Sequence, residues 1–286
     1  MKSSDFQYKR PETLHDALTY LSDDTIDCQP LAGGQSLLPL MNLRMAAPDV
    51  LLDLNRLAEL DFIRMSDSHI EIGAMVNYSD LAASEHVQKS IPLMMLALPH
   101  IAHSAIRNRG TIGGSTALAD PAAEIPALLI ALDATISVVS LDQRRDIPAE
   151  DFFLGIYETA LESDELICSI RVPVAGADQR FGFYELARRH GDFALAGTAI
   201  SAGGTDPYRD LRIVFFGVGE KAMRAKAVES VLNGKHHTDS AAWRLAQDAL
   251  SSLEFHDDVN ASSHVKAHWA QIAMKRALHS LCQEEQ

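Results

Sequence analysis

Two short stretches decide the reading of this chain: Ala32-Gly33-Gly34-Gln35-Ser36 and Thr111-Ile112-Gly113-Gly114-Ser115. Each couples a glycine pair to a hydroxyl residue, between an apolar run and a helical pattern. Glycine lets backbone amides approach an anion with no Cβ in the way, and a serine or threonine hydroxyl adds a further donor. One such turn is an ordinary tight loop. Two of them, about eighty residues apart in sequence, can converge on a bridging diphosphate such as that of FAD.

The rest of the composition is compatible with that reading and removes others. At 286 residues the chain is long enough for about two domains. Its 47% hydrophobic and 22% charged content is ordinary for a soluble globular protein. The formal charge is −14, with 39 acidic against 25 basic residues. Such a surface repels phosphate backbones and anionic lipid, which argues against nucleic-acid and membrane-surface partners. Glycine-turn amides act locally whatever the net charge, so one phosphorylated cofactor is still allowed. Cys28, Cys168 and Cys282 are scattered and form no CxxC pair. A four-thiolate zinc site or an iron–sulfur cluster held by this chain alone is therefore excluded. The sparse, odd set of cysteines points to reduced thiols and a cytoplasmic location. Met1 to Arg10 lacks the apolar core of a signal peptide. The longest apolar stretch, Ile91 to Ala102, is broken by Pro92, Pro99 and His100 and is too short to span a bilayer.

Along the chain, Thr13 opens a short amphipathic helix with Leu14, Ala17, Leu18 and Leu21 on one face. Gln29 to Ala32 reads as a strand delivering the first glycine turn, and Ser36 to Met45 as a helix with Pro39 in its first turn. Val50 to Asn55 is an apolar strand, and His69 to Met75 alternates like a half-buried one. From Tyr78 to about His103 the pattern is helical with proline breaks, leading to the polar connector before the second turn. A helix over Ala122 to Leu132 and strands over Thr135 to Ser140 and Glu165 to Val174 follow. The loop Ala175-Gly176-Ala177 marks the expected domain boundary. Beyond it come three strands (Arg180 to Ala187, Ala194 to Ala202, Leu211 to Val218). Three helices then follow (Ala222 to Leu232, Ser240 to Leu253, His264 to Leu281). Strands and helices in blocks argue for an α+β layer, not an alternating parallel sheet.

Other motifs compete for the function. Gly217-Val218-Gly219-Glu220-Lys221-Ala222 fits G-x-G-x-x-A after a strand. No second strand ends in a ribose-binding carboxylate some twenty residues on, so this is read as a structural turn. His264 and His268 in HVKAH lack the glutamate of HExxH and any further ligand, and no metal site is expected. Ser36 and Ser115 follow glycine but neither sits in G-x-S-x-G. Glu124, nine residues after Ser115 and near a helix start, has two readings of equal weight at this point. A carboxylate there favours the helix dipole, and it is also placed to hydrogen-bond a nucleotide.

The segments AGGQSLLPLMNLRMAAPDVLLDLN (Ala32 to Asn55) and AIRNRGTIGGSTALADPAAEIPALLIALDA (Ala105 to Ala134) resemble the flavin subunit of molybdenum hydroxylases. That family includes the medium subunits of carbon monoxide dehydrogenase and of quinoline and nicotine oxidoreductases, and the flavin domain of xanthine dehydrogenase. FYELARRHGDFALAG (Phe183 to Gly197) and FFGVGEKAMRA (Phe215 to Ala225) resemble it too. The resemblance covers essentially the whole chain. It implies an α+β fold: an FAD-binding domain of the vanillyl-alcohol-oxidase type over 1–177, with subdomains about 1–57 and 58–177. A smaller α+β C-terminal domain over 178–286 completes it. It further implies that Ala32, Gly33, Gly34, Gln35, Ser36 and Leu37 wrap the FAD diphosphate together with Thr111, Ile112, Gly113, Gly114 and Ser115. Ile101 and Ala102 match positions lining the flavin and adenine, and Glu124 matches an acidic residue that contacts the nucleotide. Ile167 falls where an aliphatic residue covers the isoalloxazine ring, and Tyr184 near the ring's other exposed region.

By the same resemblance, the chain is an electron-transfer subunit. A large molybdopterin-binding partner hydroxylates an organic substrate, and a small partner passes electrons through two [2Fe–2S] clusters to FAD in this chain. The complex implied is a dimer of heterotrimers. FAD then delivers the electrons to an external acceptor, and no acid–base residue of this chain is required. Two other readings are weaker. A flavin-free assembly subunit has no use for two complete glycine turns, and a stand-alone flavin oxidase needs a larger substrate domain than the residues after Ala177 supply.

Overall fold

The computed structural model describes residues 2–281; Cys282 lies outside the described residues. Three β-sheets organise the chain. The first is a small parallel sheet of β1 (Gln7–Lys9), β2 (Cys28–Leu31) and β3 (Val50–Asp53), in the order β1-β3-β2. Its central strand β3 is buried along its whole length, as a strand covered on both faces must be. Between β1 and β2 lies α1 (Leu14–Leu21), where the Thr13 hydroxyl accepts from the Asp16 amide at 3.1 Å and Ala17, Leu18 and Leu21 face the core. Between β2 and β3 comes α2 (Leu37–Asn42), shorter than the sequence pattern suggests, with Pro39 in its first turn. Arg44, at a φ of 58°, follows its end.

The second sheet is antiparallel, its strands lying in the order Ile63–Met65, His69–Gly73, Leu166–Pro173, Thr135–Val139 and Arg144–Pro148. It begins with β4 (Ile63–Met65) and β5 (His69–Gly73), where Ile70 and Ile72 point inward. The helical stretch after it breaks into α3 (Tyr78–Ala83), α4 (Glu85–Ser90) and α5 (Pro92–Ala97), divided where Ser84 caps α4 and Pro92 opens α5. α6 (Ser104–Arg107), α7 (Ile112–Leu118) and α8 (Glu124–Ala131) follow. The chain returns through β6 (Thr135–Val139) and β7 (Arg144–Pro148). The charged strand β7 is not visible as a strand in the sequence because its side chains alternate between solvent and half-buried positions at a sheet edge, where charge discourages further pairing. A short excursion, α9 (Ala149–Phe152), β8 (Phe153–Gly155) and β9 (Glu158–Thr159), leads into β10 (Leu166–Pro173).

The third sheet comprises β11 (Arg180–Leu186), β12 (Ala196–Ala202), β15 (Arg212–Phe216) and β16 (Met223–Arg224), with the hairpin β13 (Gly204–Thr205) and β14 (Tyr208–Arg209) set to one side. A helix was expected from Ala222. Instead Met223 and Arg224 pair with β15, and helix α10 (Lys226–Leu232) begins only after them. α11 (Ser240–Ala249) and α12 (Ser263–Leu281) complete the fold. Strand alternation on β15 explains its two-sided burial. Val214 and Phe216 join the main core with α8, whereas Ile213 and Phe215 join a second core with α10 to α12. Burying each such phenylalanine contributes about 2–3 kcal/mol. The main core runs without interruption from Ile70 and Ile72 of the second sheet to Ala199, Val214 and Phe216 of the third. The fold is α+β, as the blocks of strands and helices imply.

Candidate functional site: a cleft built on two touching glycine turns

The two glycine stretches meet. A Cβ on Gly33 would lie 2.1 Å from the Arg109 carbonyl oxygen, and one on Gly114 would lie 3.5 Å from the Ala32 Cβ. Gly113 packs on Ala74, where a Cβ would sit 2.6 Å from the carbonyl oxygen. Gly34 needs its glycine for another reason: its φ is +73°, the left-handed region that side chains disfavour.

The stretches differ in the donors they offer. Among the described residues, no intrachain acceptor takes the amides of Gly34, Gln35, Ser36 or Leu37, and Ser36 makes no capping bond of its own. In the second stretch the amides of Ile112 to Ser115 are occupied. Ile112 donates to Val76 (3.0 Å), Gly113 to Ala74 (2.9 Å), Ser115 to the Thr111 carbonyl (3.1 Å) and Gly114 to the Thr111 hydroxyl (3.1 Å). Thr111 is in fact the N-cap of α7, and the glycine pair forms that helix's first turn. The first stretch is thus the one that keeps free amides, and the second presents a glycine surface without side chains beside it.

Both line one cleft of about 1280 Å³, larger than the pockets of drug-sized ligands. Its wall includes every residue from Ala32 to Leu37, together with Thr111, Gly113, Gly114 and Ser115. Ile101, Ala102, Glu124 and Ile167 line it as well. The Arg107 guanidinium holds the Ile101 and Ala102 carbonyls at 3.0 and 2.7 Å, fixing Ala102 at a φ of 46°. Ile167 sits at a β-bulge in β10, which redirects its side chain. Two of the sequence-derived residues stand apart from the wall. Ile112 is fully buried in the main core and anchors α7 from behind. Tyr184 packs with the second core, bonded to and overlaid by the Arg276 guanidinium. It lies on a strand whose alternation turns it away from the cleft.

Burial shapes the electrostatics. Glu124 is only 7% exposed, and burial, with Asp120 nearby, raises its carboxyl well above the usual range. Burial likewise raises the Tyr78 hydroxyl, which hydrogen-bonds Ser115 beneath the second turn.

Several wall residues escape a sequence reading. Phe193 is 65% exposed at the cleft, an unusual state for phenylalanine. Arg188 donates to Asn260 at 2.8 Å, and the buried Lys266 pairs with Asp258 at 2.9 Å. Gly217 and Gly219 of the GVGEKA turn also line the cleft, although a strand and not a nucleotide-binding helix follows them. These residues come from segments far apart in the chain.

A diphosphate-sized anion fits a turn with four free amides, and the long, mixed cleft suits a dinucleotide. Residues 4–175 match the FAD binding domain in molybdopterin dehydrogenase, and residues 181–281 the CO dehydrogenase flavoprotein C-terminal domain. The chain belongs to this flavoprotein family. Caffeine dehydrogenase subunit beta from Pseudomonas sp. (strain CBB1) is 37% identical to this flavin subunit, over 97% of the chain and 95% of the relative. Carbon monoxide dehydrogenase from Hydrogenophaga pseudoflava superposes with a TM-score of 0.93 at 40% identity, covering 98% of each chain. Quinoline 2-oxidoreductase from Pseudomonas putida 86 gives 0.92 at 35% identity, also covering 98% of each chain. The protein is thus a medium, FAD-binding subunit of the molybdenum hydroxylase type. Among its described residues, no helix is long and apolar enough to cross a membrane.

Proposed function

We propose that the cleft between the two glycine turns holds the FAD of a molybdenum hydroxylase. In that role Gly34 to Leu37 bind the diphosphate, while Gly113 and Gly114 allow its close approach. Thr111 and Ser115 shape that wall, with Ile112 behind it. Ile101, Ala102 and Ile167 line the flavin, and Glu124 contacts the nucleotide. The observation that carries this reading is the free amide set of the first turn pressed against the glycine surface of the second. When bound, FAD supplies the redox chemistry, accepting electrons from [2Fe–2S] clusters of the small subunit and passing them to an external acceptor. This chain binds and orients the cofactor and screens it from water. No proton-transfer residue of its own is needed for the electron relay. The assembly proposed is a cytoplasmic dimer of heterotrimers, with the boundary between the FAD-binding and C-terminal domains of this chain at about residue 177.

The test is direct. The purified chain reconstituted with FAD should carry a flavin absorbance spectrum and release the flavin on denaturation. A colourless chain after reconstitution would overturn the assignment. Replacing Ser36 by proline, which removes one of the four free amides, should weaken flavin retention more than Ser115→Ala, whose backbone donor is already occupied.

A further inference from the structure

Glu124 does not stand alone on the cleft wall. It opens α8, and its carboxyl lies within hydrogen-bonding reach of that of Glu185, which approaches it from β11. One Glu185 oxygen, Oε2, is completely enclosed, and no N–H or hydroxyl donor reaches it. The groups that act electrostatically on Glu124 are acidic: Asp120 from the turn before α8 and Glu185 itself, while Tyr78 of α3 feels Glu124 in turn. Only Glu124 acts on Glu185 in this way. The Arg188 and Lys266 side chains that line the cleft are engaged elsewhere, Arg188 with Asn260 and Lys266 with Asp258. Two ionised carboxylates cannot share a buried site in hydrogen-bonding contact without a cation, whereas one proton between them makes the contact favourable.

We propose that Glu124 and Glu185 form a proton-sharing carboxyl pair that keeps one proton on the wall of the flavin cleft at neutral pH, so that filling the cleft is linked to proton exchange at this pair. Glu185 is then a positioning residue: it does not line the cleft, but it determines whether Glu124 presents a donor or a bare charge to what binds there. Burial and the neighbouring carboxylate push both acids up from the ordinary glutamate range, consistent with the enclosed geometry. The second half of the proposal rests on the cleft being the FAD site; the first half does not.

Thermal unfolding of the full flavin-free chain from about pH 5 to about pH 9 tests the pair. A carboxyl raised in the folded state stabilises fully below the unfolded value, and that stabilisation is lost as pH rises through the folded value. The melting temperature of the wild type should therefore fall relative to Glu185→Gln as pH rises, because glutamine donates to Glu124 without titrating. Parallel curves would overturn the pair. Should Glu185→Gln fold poorly, infrared spectroscopy decides instead. The wild type should show a protonated-carboxyl carbonyl band at pH 7 that Glu124→Gln lacks, and a wild type without that band overturns the pair. The linkage is read by calorimetry of FAD binding in two buffers of different ionisation heat. Proton exchange in the wild type should drop by more than half in Glu185→Gln, and equal counts would overturn the linkage. Failure of FAD to bind would overturn both the linkage and the cleft assignment, while the flavin-free curves still judge the pair itself.

Discussion

Gly33 and Gly34 look alike in the sequence but are required for different reasons. At Gly33 a Cβ would penetrate the Arg109 backbone, whereas at Gly34 the backbone itself is left-handed. Gly33→Ala must push the two turns apart, so it is expected to abolish flavin retention and destabilise the chain by about 2 kcal/mol or more. Gly34→Ala should cost about 1 kcal/mol from backbone strain and leave flavin binding partly intact. Flavin-to-protein ratio and denaturant midpoints measured on both variants check the contrast. The glycine pairs and Glu124 were legible in the sequence because missing Cβ atoms and helix starts leave local signatures. Phe193 and Lys266 were not, because an exposed aromatic and a buried lysine are products of packing and carry no pattern of their own.

Short helices do the positioning, and their ends matter more than their lengths. The Thr111 hydroxyl caps α7 by accepting from Gly114, so Thr111→Val should lose about 1 kcal/mol of stability in calorimetric unfolding. Its flavin affinity should weaken with it, because the first turn of α7 is the cleft wall. A second brace joins the 101–102 loop to the 188–193 loop: the His100 and His190 rings stack at 5.5 Å, and Gly191 packs against the Ala102 carbonyl. Burial, with His190 beside it, lowers the His100 imidazole below its ordinary value. A histidine depressed in the folded state stabilises above its unfolded value, and that contribution is lost as pH falls through the folded one. Melting temperature should therefore drop below about pH 6.5 in the wild type, and less so in His100→Phe. The sequence delivered α1 and α8 with nearly correct ends. It read Tyr78 to about His103 as helical with proline breaks, which left the start of α5 at Pro92 visible but ran α3 and α4 together, because each has too few turns for its periodicity to be separated from its neighbour's.

At the scale of the whole molecule, the cleft exists because the third sheet is fastened to the first two. The Gly217 amide donates to the Pro121 carbonyl at 2.7 Å, the Ser201 hydroxyl to Ala131 at 2.7 Å, and the Lys221 ammonium to Phe153 at 2.9 Å. Arg224 adds an ionic fastening. It holds Glu229 through three bonds of 3.0, 3.1 and 2.9 Å and reaches Glu150 of α9 at 2.8 Å. Glu229 is buried and also accepts from the Ile213 amide. Arg224→Met would strand that carboxylate, so it should cost about 3 kcal/mol or more in denaturant unfolding and loosen the flavin. A Glu229→Gln change, which keeps an acceptor for Ile213, should cost less. The sequence by itself determined the two glycine turns, the α+β blocks and the membership of a flavoprotein family, since these rest on local residue chemistry and on the order of motifs. Only the tertiary structure decided that one turn keeps its amides free while the other spends most of its own within the chain, that Tyr184 faces away, and that Glu185 meets Glu124. Each of these depends on which residues distant in the chain are packed into contact, and burial then sets whether an amide is free or a carboxyl keeps its proton.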